Sequence, residues 1–215
     1  MTLLGTRKSS FRKSGIARRK RLLQAARALL ESRELDAISL GDVAAAAKVP
    51  KGSAYHFYAD IRDLYASLQV ELEAELLIAM RAPVRRKVSD WQELVDILTA
   101  RGAAYYAKSP AARQLQIGPK TPPELKLRDR QHDVALGKIF ENHFDAWFEL
   151  PPVPNRSIVF FRGLEIADLM FSLSVLEHGH ITAEMQAEAS RAMCAYLRCY
   201  IPEKLARRQR RTTAT

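Results

Sequence analysis

Cysteine is nearly absent from this chain: among 215 residues there are two, Cys194 and Cys199. Both fall on one expected helix, five positions apart and on different faces, so a disulfide between them is not expected. They read as small buried apolar residues, and such sparing use suits a reducing cytoplasm. Uninterrupted apolar runs are missing as well. The N-terminal stretch has no signal-peptide core. The most apolar segment, Ile158 to Leu176, is broken by Arg162, Glu165 and Asp168. Those charges are costly in lipid, so the segment reads as a buried helix and not as a membrane span. Strand-like alternation, internal repeats and, apart from a basic tail, low-complexity segments are lacking. So are common catalytic signatures: there is no GxSxG elbow, phosphate-binding loop, HExxH pair or dinucleotide glycine pattern. His132, His143, His178 and His180 lack convincing metal-ligand spacing, so neither a metal site nor a cofactor is expected.

What the chain has is positive charge, unevenly placed. The net charge is +10. Residues 1–65 hold 13 Lys and Arg against 6 Asp and Glu, residues 66–197 hold 15 against 17, and residues 198–215 hold 6 against 1. A near-neutral middle with basic ends, in a chain that is 47% apolar, is a globular protein with the electrostatic footprint of a nucleic-acid binder. Residues 1–21 carry eight basic side chains and no acidic one. The first dozen residues lack periodicity and read as a flexible arm (1–14), in which Arg12 and Lys13 suit phosphates or a minor groove. The tail, 203–215, reads as a solvated end.

The stretch from Ser39 to Tyr58, SLGDVAAAAKVPKGSAYHFY, organises the N-terminal part. Ser39 is placed to cap a short helix with Asp42 at its third position, close to a capping box. Leu40, Val43, Ala44 and Ala47 recur at helical spacing. Lys48-Val49-Pro50 is a turn in which Val49 plugs the angle between two helices. The next helix, Lys51 to Phe57, presents Lys51, Ser53, Tyr55 and His56, too much hydrogen-bonding chemistry for a core segment of that length. A helix-turn-helix has this layout, with the second helix entering the major groove; an ordinary αα-corner is the other reading of the stretch alone. Upstream, Ser14 is placed to cap a helix to about Ser32, with Ile16, Leu22 or Leu23, Ala26, Leu29 and Leu30 inward. Ile38 staples the following helix. Downstream, Asp60 caps a long helix with Leu64, Leu68, Leu72, Leu76 and Ala79 at nearly regular spacing until Pro83 stops it.

The segment from Arg18 to Leu68, above all KVPKGSAYHFY, resembles the N-terminal DNA-binding domain of the tetracycline-repressor (TetR) family. The resemblance implies an all-α protein of about nine helices: a helix-turn-helix domain over 15–60 and a helical effector-binding and dimerisation domain over 61–202, joined by the helix 61–80. It also implies a double-stranded, palindromic operator as partner. Lys51 is expected to reach guanine or phosphate, and Ser53 a base edge or phosphate. Tyr55, His56 and Ser39 are expected to touch the backbone, while Phe57 and Tyr58 pack the core. Four departures alter that expectation. Gly41 replaces a frequent arginine. Lys48 replaces a turn glycine, at a cost of about 1 kcal/mol if that position has positive φ. Pro50 removes a capping serine. Ile61 stands where a phosphate-binding lysine is usual, with Arg62 next to it as the substitute. Lys48 and the arm are expected to restore the lost electrostatics.

The remainder reads as helices. Ser89 or Asp90 caps one over 91–107, Ser109-Pro110 opens a short one, and Thr121 caps one over 124–148 after the loop 117–123. Asn155 caps 156–178, ended by Gly179, and Thr182 caps 183–201, ended by Pro202. Trp91, Tyr105, Tyr106, Phe140, Phe144, Trp147 and Phe148 either pack a core or line a cavity for a small, largely apolar effector. Arg162 and Glu165 either orient that ligand or pair at an interface. The two apolar helices 156–178 and 183–201 are expected to form a homodimer. The reading favoured is a ligand-responsive, DNA-binding repressor. An all-α enzyme with an incidental helix-turn-helix, or a DNA binder without an effector, are the alternatives.

Overall fold

Capping chemistry sets most of the helix starts in the structure, a computed structural model that describes residues 4–132 and 134–208. The side-chain oxygen of Ser39 accepts from the Asp42 amide and opens α2 (Leu40–Ala46), with the capping box closed from Asp42 back to the Ser39 amide. Pro50 precedes α3 (Lys51–Phe57) without a side-chain cap. Asp60 caps α4 (Ile61–Arg81), Asp90 caps α5 (Trp91–Lys108), and Ser109 caps a short α6 (Pro110–Ala112) that runs on as a π-helical turn, Arg113–Ile117. Thr182 caps α10 (Ala183–Leu197), and α9 (Arg156–His178) ends at Gly179 with φ 74°, a left-handed C-cap that glycine adopts without strain. Helical residues Pro123–His132 (α7) and Val134–Trp147 (α8) flank residue 133. With a 3-10 turn at Leu35–Ala37, the described residues form ten α-helices and no strand, an all-α chain.

Several expected starts are corrected. The first helix, α1, spans Leu4–Leu29, so Ser14 lies inside it and its hydroxyl accepts from Arg18 Nη2 at 3.4 Å instead of capping. No proline interrupts that stretch, so nothing in the backbone forces a start at Ser14. Arg12 and Lys13 are therefore on a helix, not on a flexible arm; their side chains lie outside the described residues. Ile16, expected inside, is 64% exposed. Thr121 does not cap α7; its hydroxyl donates to the carbonyls of Gln114 (2.8 Å) and Gly118 (2.9 Å). Asn155 holds the N-cap position of α9 with a left-handed backbone and no side-chain cap bond.

The N-terminal unit packs α1, α2, α3 and the start of α4 around Leu22, Ala26, Leu30, Val43, Ala54, Tyr58 and Leu64, all buried. Val49 is buried in the turn between α2 and α3, as its place in the sequence implied. Helix α4 carries Leu64, Leu68, Leu72, Leu76 and Met80 on one buried face and so belongs to both halves of the molecule. At about 1.5 Å per residue its 21 residues span roughly 30 Å.

The C-terminal tail is fastened and not loose over its described part. Trp91 Nε1 donates to the carbonyls of Pro202 (3.0 Å) and Glu203 (3.1 Å), and the Glu149 amide donates to Ala206 (2.8 Å). The Arg208 amide donates to Trp147 (3.0 Å). This strap lies at the far end of α4 from the helix-turn-helix, where α5 begins and α8 ends. Residues 209–215 are outside the described residues. Cys194 is buried, Cys199 exposed, and both are free thiols.

Helices α8 and α9 meet closely enough that a Cβ on Gly137 would come within 2.6 Å of the Ser157 carbonyl. Their charged seam is centred on Glu141, which accepts from Arg156 (2.6 and 2.8 Å), pairs with Lys138 (2.9 Å) and accepts from Ser157. Burial alone would push the Glu141 carboxyl up. The bonds from Ser157, Lys138 and Arg156 outweigh it and hold it down at about 2, against an ordinary 4.5. A depressed carboxylate contributes stability that is complete above its ordinary value and lost as pH falls toward the folded one. Glu141→Gln should therefore destabilise the protein by about 1–2 kcal/mol at neutral pH, after allowance for solvent screening. Denaturant midpoints at pH 7 and near pH 2.5 check this: the gap between variant and parent should shrink at the lower pH.

Candidate nucleic-acid interface

Helix α3 is seven residues long, and its outward face is built from its own sequence order. Ala54 is buried against the domain core, which turns Lys51, Tyr55 and His56 outward; Tyr55 is 48% exposed and Ser53 is half-buried. The Lys51 ammonium lies 5.9 Å from the Tyr55 ring centroid, within reach of a cation–π attraction. Lys51 lies over Gly41 at the start of α2, where a Cβ would be in ordinary contact with it, 3.7 Å from Lys51 Cε and 3.9 Å from its Nζ. The missing side chain at 41 is thus compensated in space by Lys51, which the sequence alone did not reveal.

Gly52 was passed over in the sequence and carries a signal of its own. It lies in the first turn of α3, exposed, and a Cβ added to it would meet nothing within 4 Å. Glycine in a helix costs roughly 0.5–1 kcal/mol against alanine, and nothing within the protein requires it here. The space it leaves faces outward beside Lys51 and Ser53, where a partner's backbone can come close.

The turn residue Lys48 has φ 52°, the left-handed conformation in which a lysine is strained. It is exposed, and its amide donates to the Ala45 carbonyl (3.1 Å). Ser39 is less available than expected. Its hydroxyl both accepts from the Asp42 amide (3.1 Å) and lies 2.7 Å from the Asp42 carboxylate as a donor. The amide and hydroxyl of Ser39 hold the Asp42 carboxyl below its ordinary range. Arg62 also has a partner, Glu124 on α7 at 3.4 Å, both exposed.

On α1, two cations fasten the helix to the rest of the chain. Arg19 lies 5.2 Å over the Tyr58 ring, donates to the Tyr58 hydroxyl (3.1 Å) and reaches Ser67 (3.4 Å). Arg27 makes a two-pronged pair with Glu75 on α4 at 2.7 and 3.0 Å. Lys20 and Arg21 remain exposed.

Comparison with known proteins bears on this unit directly. A family model described as bacterial regulatory proteins, tetR family, matches residues 22–68, the segment that holds α2, the turn, α3 and the start of α4. Residues 22–68 thus carry the tetR-family signature. The family so described is one of bacterial regulatory proteins, and the match falls on its DNA-binding unit. Solved TetR structures share the whole fold. A TetR-family transcriptional regulator from Streptomyces coelicolor superposes with TM-score 0.66 at 20% identity, over 85% of this chain and 99% of that one. One from Pectobacterium atrosepticum gives 0.64 at 19%, over 90% and 98%. SmeT, the repressor of the Stenotrophomonas maltophilia multidrug efflux pump SmeDEF, gives 0.59 at 11%, over 86% and 91%. No curated protein sequence matches the chain.

The C-terminal half of the chain contains a small, largely apolar cavity of about 50 Å³ between α4, α5, α8 and α9. Of the residues expected there, Tyr106 and Phe140 line it. The others are elsewhere. Trp91, Phe144 and Phe148 are buried in the core at the far end, where the Phe144 ring lies 4.7 Å from Phe160 and 6.2 Å from Trp91. Tyr105 donates its hydroxyl to the Leu72 carbonyl (2.7 Å) and lines a cleft between α1, α4 and α5. Trp147 lines an open groove beside α4. Arg162 is exposed and hydrogen-bonds Tyr196 of α10, and Glu165 is half-buried outside the cavity lining. The walls that the sequence reading missed come from Leu76, Met80, Gly102, Ala167, Asp168 and Phe171 among others. Among the described residues no helix is long and apolar enough to cross a membrane, and no group of three metal-ligating side chains gathers.

The strain at Lys48 gives a direct test of the turn. Lys48→Gly should raise unfolding stability by about 0.5–1 kcal/mol, read as a higher denaturant midpoint with an unchanged slope.

Proposed function

We propose that this chain acts as a homodimeric repressor that holds a palindromic operator through α3 and lets it go when a small, largely apolar molecule occupies the cavity beside α4. The outward face of α3, with Lys51, Ser53, Tyr55 and His56 around the open space at Gly52, carries this reading. Lys51 and Ser53 are the base-edge or phosphate contacts, Tyr55 and His56 hold the backbone, and Lys48 and the basic first half of α1, with Arg12 and Lys13, add phosphate attraction. Ser39 serves chiefly as a cap and Arg62 chiefly as a link to α7, so both are minor contributors. SmeT, and likewise NalD, named as a secondary repressor of the MexAB-OprM multidrug efflux pump in Pseudomonas aeruginosa, support repression as the sign of control.

Dimerisation has its support in the outer side of α9 and the end of α10. On α9, Leu169 is 54% and Leu176 61% exposed, and Ile158 of the same helix and Tyr200, just past the end of α10, are exposed as well. Apolar side chains repeated along one helix are better covered than left in water. Two recognition helices on one palindrome multiply the discrimination of a single short helix.

Release requires a path from cavity to DNA, and α4 supplies it: Leu76 and Met80 line the cavity, while Leu64 and Leu68 of the same helix pack the DNA-binding unit. A ligand moves that helix only by binding the released form more tightly than the bound one. At about 50 Å³ the cavity is far below the roughly 300 Å³ that ligand pockets usually offer, so occupation has to part its walls. The same small volume favours a second reading, a DNA binder that no small molecule releases.

Two experiments test these readings. Lys51→Ala combined with Tyr55→Ala should weaken binding to an operator selected from random duplexes by at least about tenfold and flatten the salt dependence by about one unit of slope. Retention of full affinity in a polarisation assay would sink the contact assignment. Ala167→Leu narrows the cavity; operator affinity should persist while release by apolar compounds that act on the parent protein is lost. If no such compound releases the parent, the effector-free reading stands.

A further inference from the structure

A groove of about 360 Å³ opens beside the last turn of α4, at the end of the molecule remote from α3, and it shares no lining residue with the inner cavity. Its size falls within the range of ligand pockets, several times that of the cavity. One wall is apolar and aromatic: Val84 and Ile139 are buried in it and Trp147 is partly exposed to it. The polar lining consists of the Arg81 guanidinium, the Asn142 amide and the buried imidazole of His143. Among the described residues no carboxylate lines it.

The surroundings reinforce that sign. Arg85, Arg86 and Lys87 follow directly in sequence. The strap carries Arg207 and Arg208 to the same end, where Arg207 pairs in an isolated bridge with Phe148, donates to the Ser89 carbonyl (2.9 Å), and the Arg208 amide bonds to Trp147 itself. Of the carboxylates at this end, Asp90 caps α5, Glu93 accepts from Ser89 and pairs with Arg86 (3.1 Å), Asp145 pairs with Arg156 (2.9 Å) and Glu203 pairs with Arg198 (2.5 Å), while Glu149 stands exposed just past α8. A groove whose lining carries charge of one sign only concentrates ions of the other.

We infer that this groove is a second ligand site, built for a small aromatic anion whose ring lies against Trp147 and Ile139 and whose carboxylate is taken by Arg81 and Asn142. The site is placed to matter. His143 Nε2 lies 2.8 Å from the Met80 carbonyl, and Arg101 Nη1 donates to the same carbonyl at 3.1 Å and to Ala82 at 2.5 Å. The end of the helix that links both halves is therefore held by residues in or next to the groove, so its occupation bears on α4 from the side opposite the DNA.

Titration calorimetry on the full chain, with 2-naphthoate as the probe and neutral 2-naphthamide as its control, tests the inference. The naphthoate should bind at least about tenfold more tightly than the amide, the scale of one charge-assisted hydrogen bond. Arg81→Gln, at an exposed position with little bearing on folding, should remove that preference and leave the amide unchanged. Ala167→Leu, which narrows the inner cavity, should leave naphthoate binding intact. Equal affinity for acid and amide, or naphthoate binding that survives Arg81→Gln but is abolished by Ala167→Leu, overturns the inference while leaving the cavity-based release reading standing. Failure of apolar compounds to release the operator, with naphthoate binding as described, has the opposite meaning.

Discussion

The backbone of Leu35 is the point on which the relation between the two halves depends. Its amide donates to Gln114 Oε1 at 2.8 Å, and its carbonyl accepts from the Tyr65 hydroxyl at 3.1 Å. Gln114 also donates to the carbonyls of Leu30 and Arg33, both at 2.9 Å, which are freed where α1 ends. One side chain in the π-helical turn of the C-terminal half thus satisfies three main-chain groups of the DNA-binding half. Its own position is set by its surroundings. A Cβ at Gly118 would stand 2.5 Å from the Gln114 carbonyl, so only glycine fits, and Thr121 donates to that carbonyl at 2.8 Å. Tyr65 is buried, and burial drives its hydroxyl up to about 12, so it stays a proton donor across the physiological range.

That joint, together with α4, restricts how the proposed release can work. The Arg27–Glu75 pair and the Lys120 pairs with Asp36 (3.0 Å) and Glu34 (3.5 Å) are exposed ion pairs, each of small energetic consequence. The Gln114 bonds are half-sheltered and would leave unpaired groups behind if broken. A shift of α4 that kept them intact has to carry the end of α1 along with it. Motion of the DNA-binding unit as one body is then less costly than sliding it over the effector half, which suits a mechanism that alters the spacing between two recognition helices.

Much of this architecture was legible because its causes are local. Ser39, Asp60, Asp90, Ser109 and Thr182 bond to amides within three residues, so the sequence around each is nearly the whole cause. The same locality makes the helix-turn-helix readable, down to the strained Lys48. What escaped the sequence is tertiary. Trp91 and Phe144 have the composition of a ligand pocket but are consumed in core packing, and only the fold shows Ala167 and Gly102 meeting Tyr106. Thr121 carries the chemistry of a cap, but a carbonyl presented by the π turn claims its hydroxyl. Arg62 stands one residue past a phosphate-binding position and was the substitute there, whereas it pairs with Glu124, sixty-two residues away.

The distribution of charge takes a different meaning once the strap is placed. Two basic ends in one sequence suggest a single cationic footprint, yet the described part of the tail is bound to Trp91, Gln92 and Ser89 at the far end of α4. With a Debye length near 10 Å at 0.1 M salt, charges roughly 30 Å apart along that helix do not reinforce each other at one surface. Among the described residues, attraction to DNA then falls to the N-terminal cations, and of these Arg19 and Arg27 are partly committed to fastening α1 onto Tyr58 and Glu75. The cations left for DNA are those that α3, the turn and the exposed side of α1 present. The excess at the other end calls for a separate explanation, which is why the groove lined by Arg81 is better read as a site for its own anion than as a remote extension of the DNA surface.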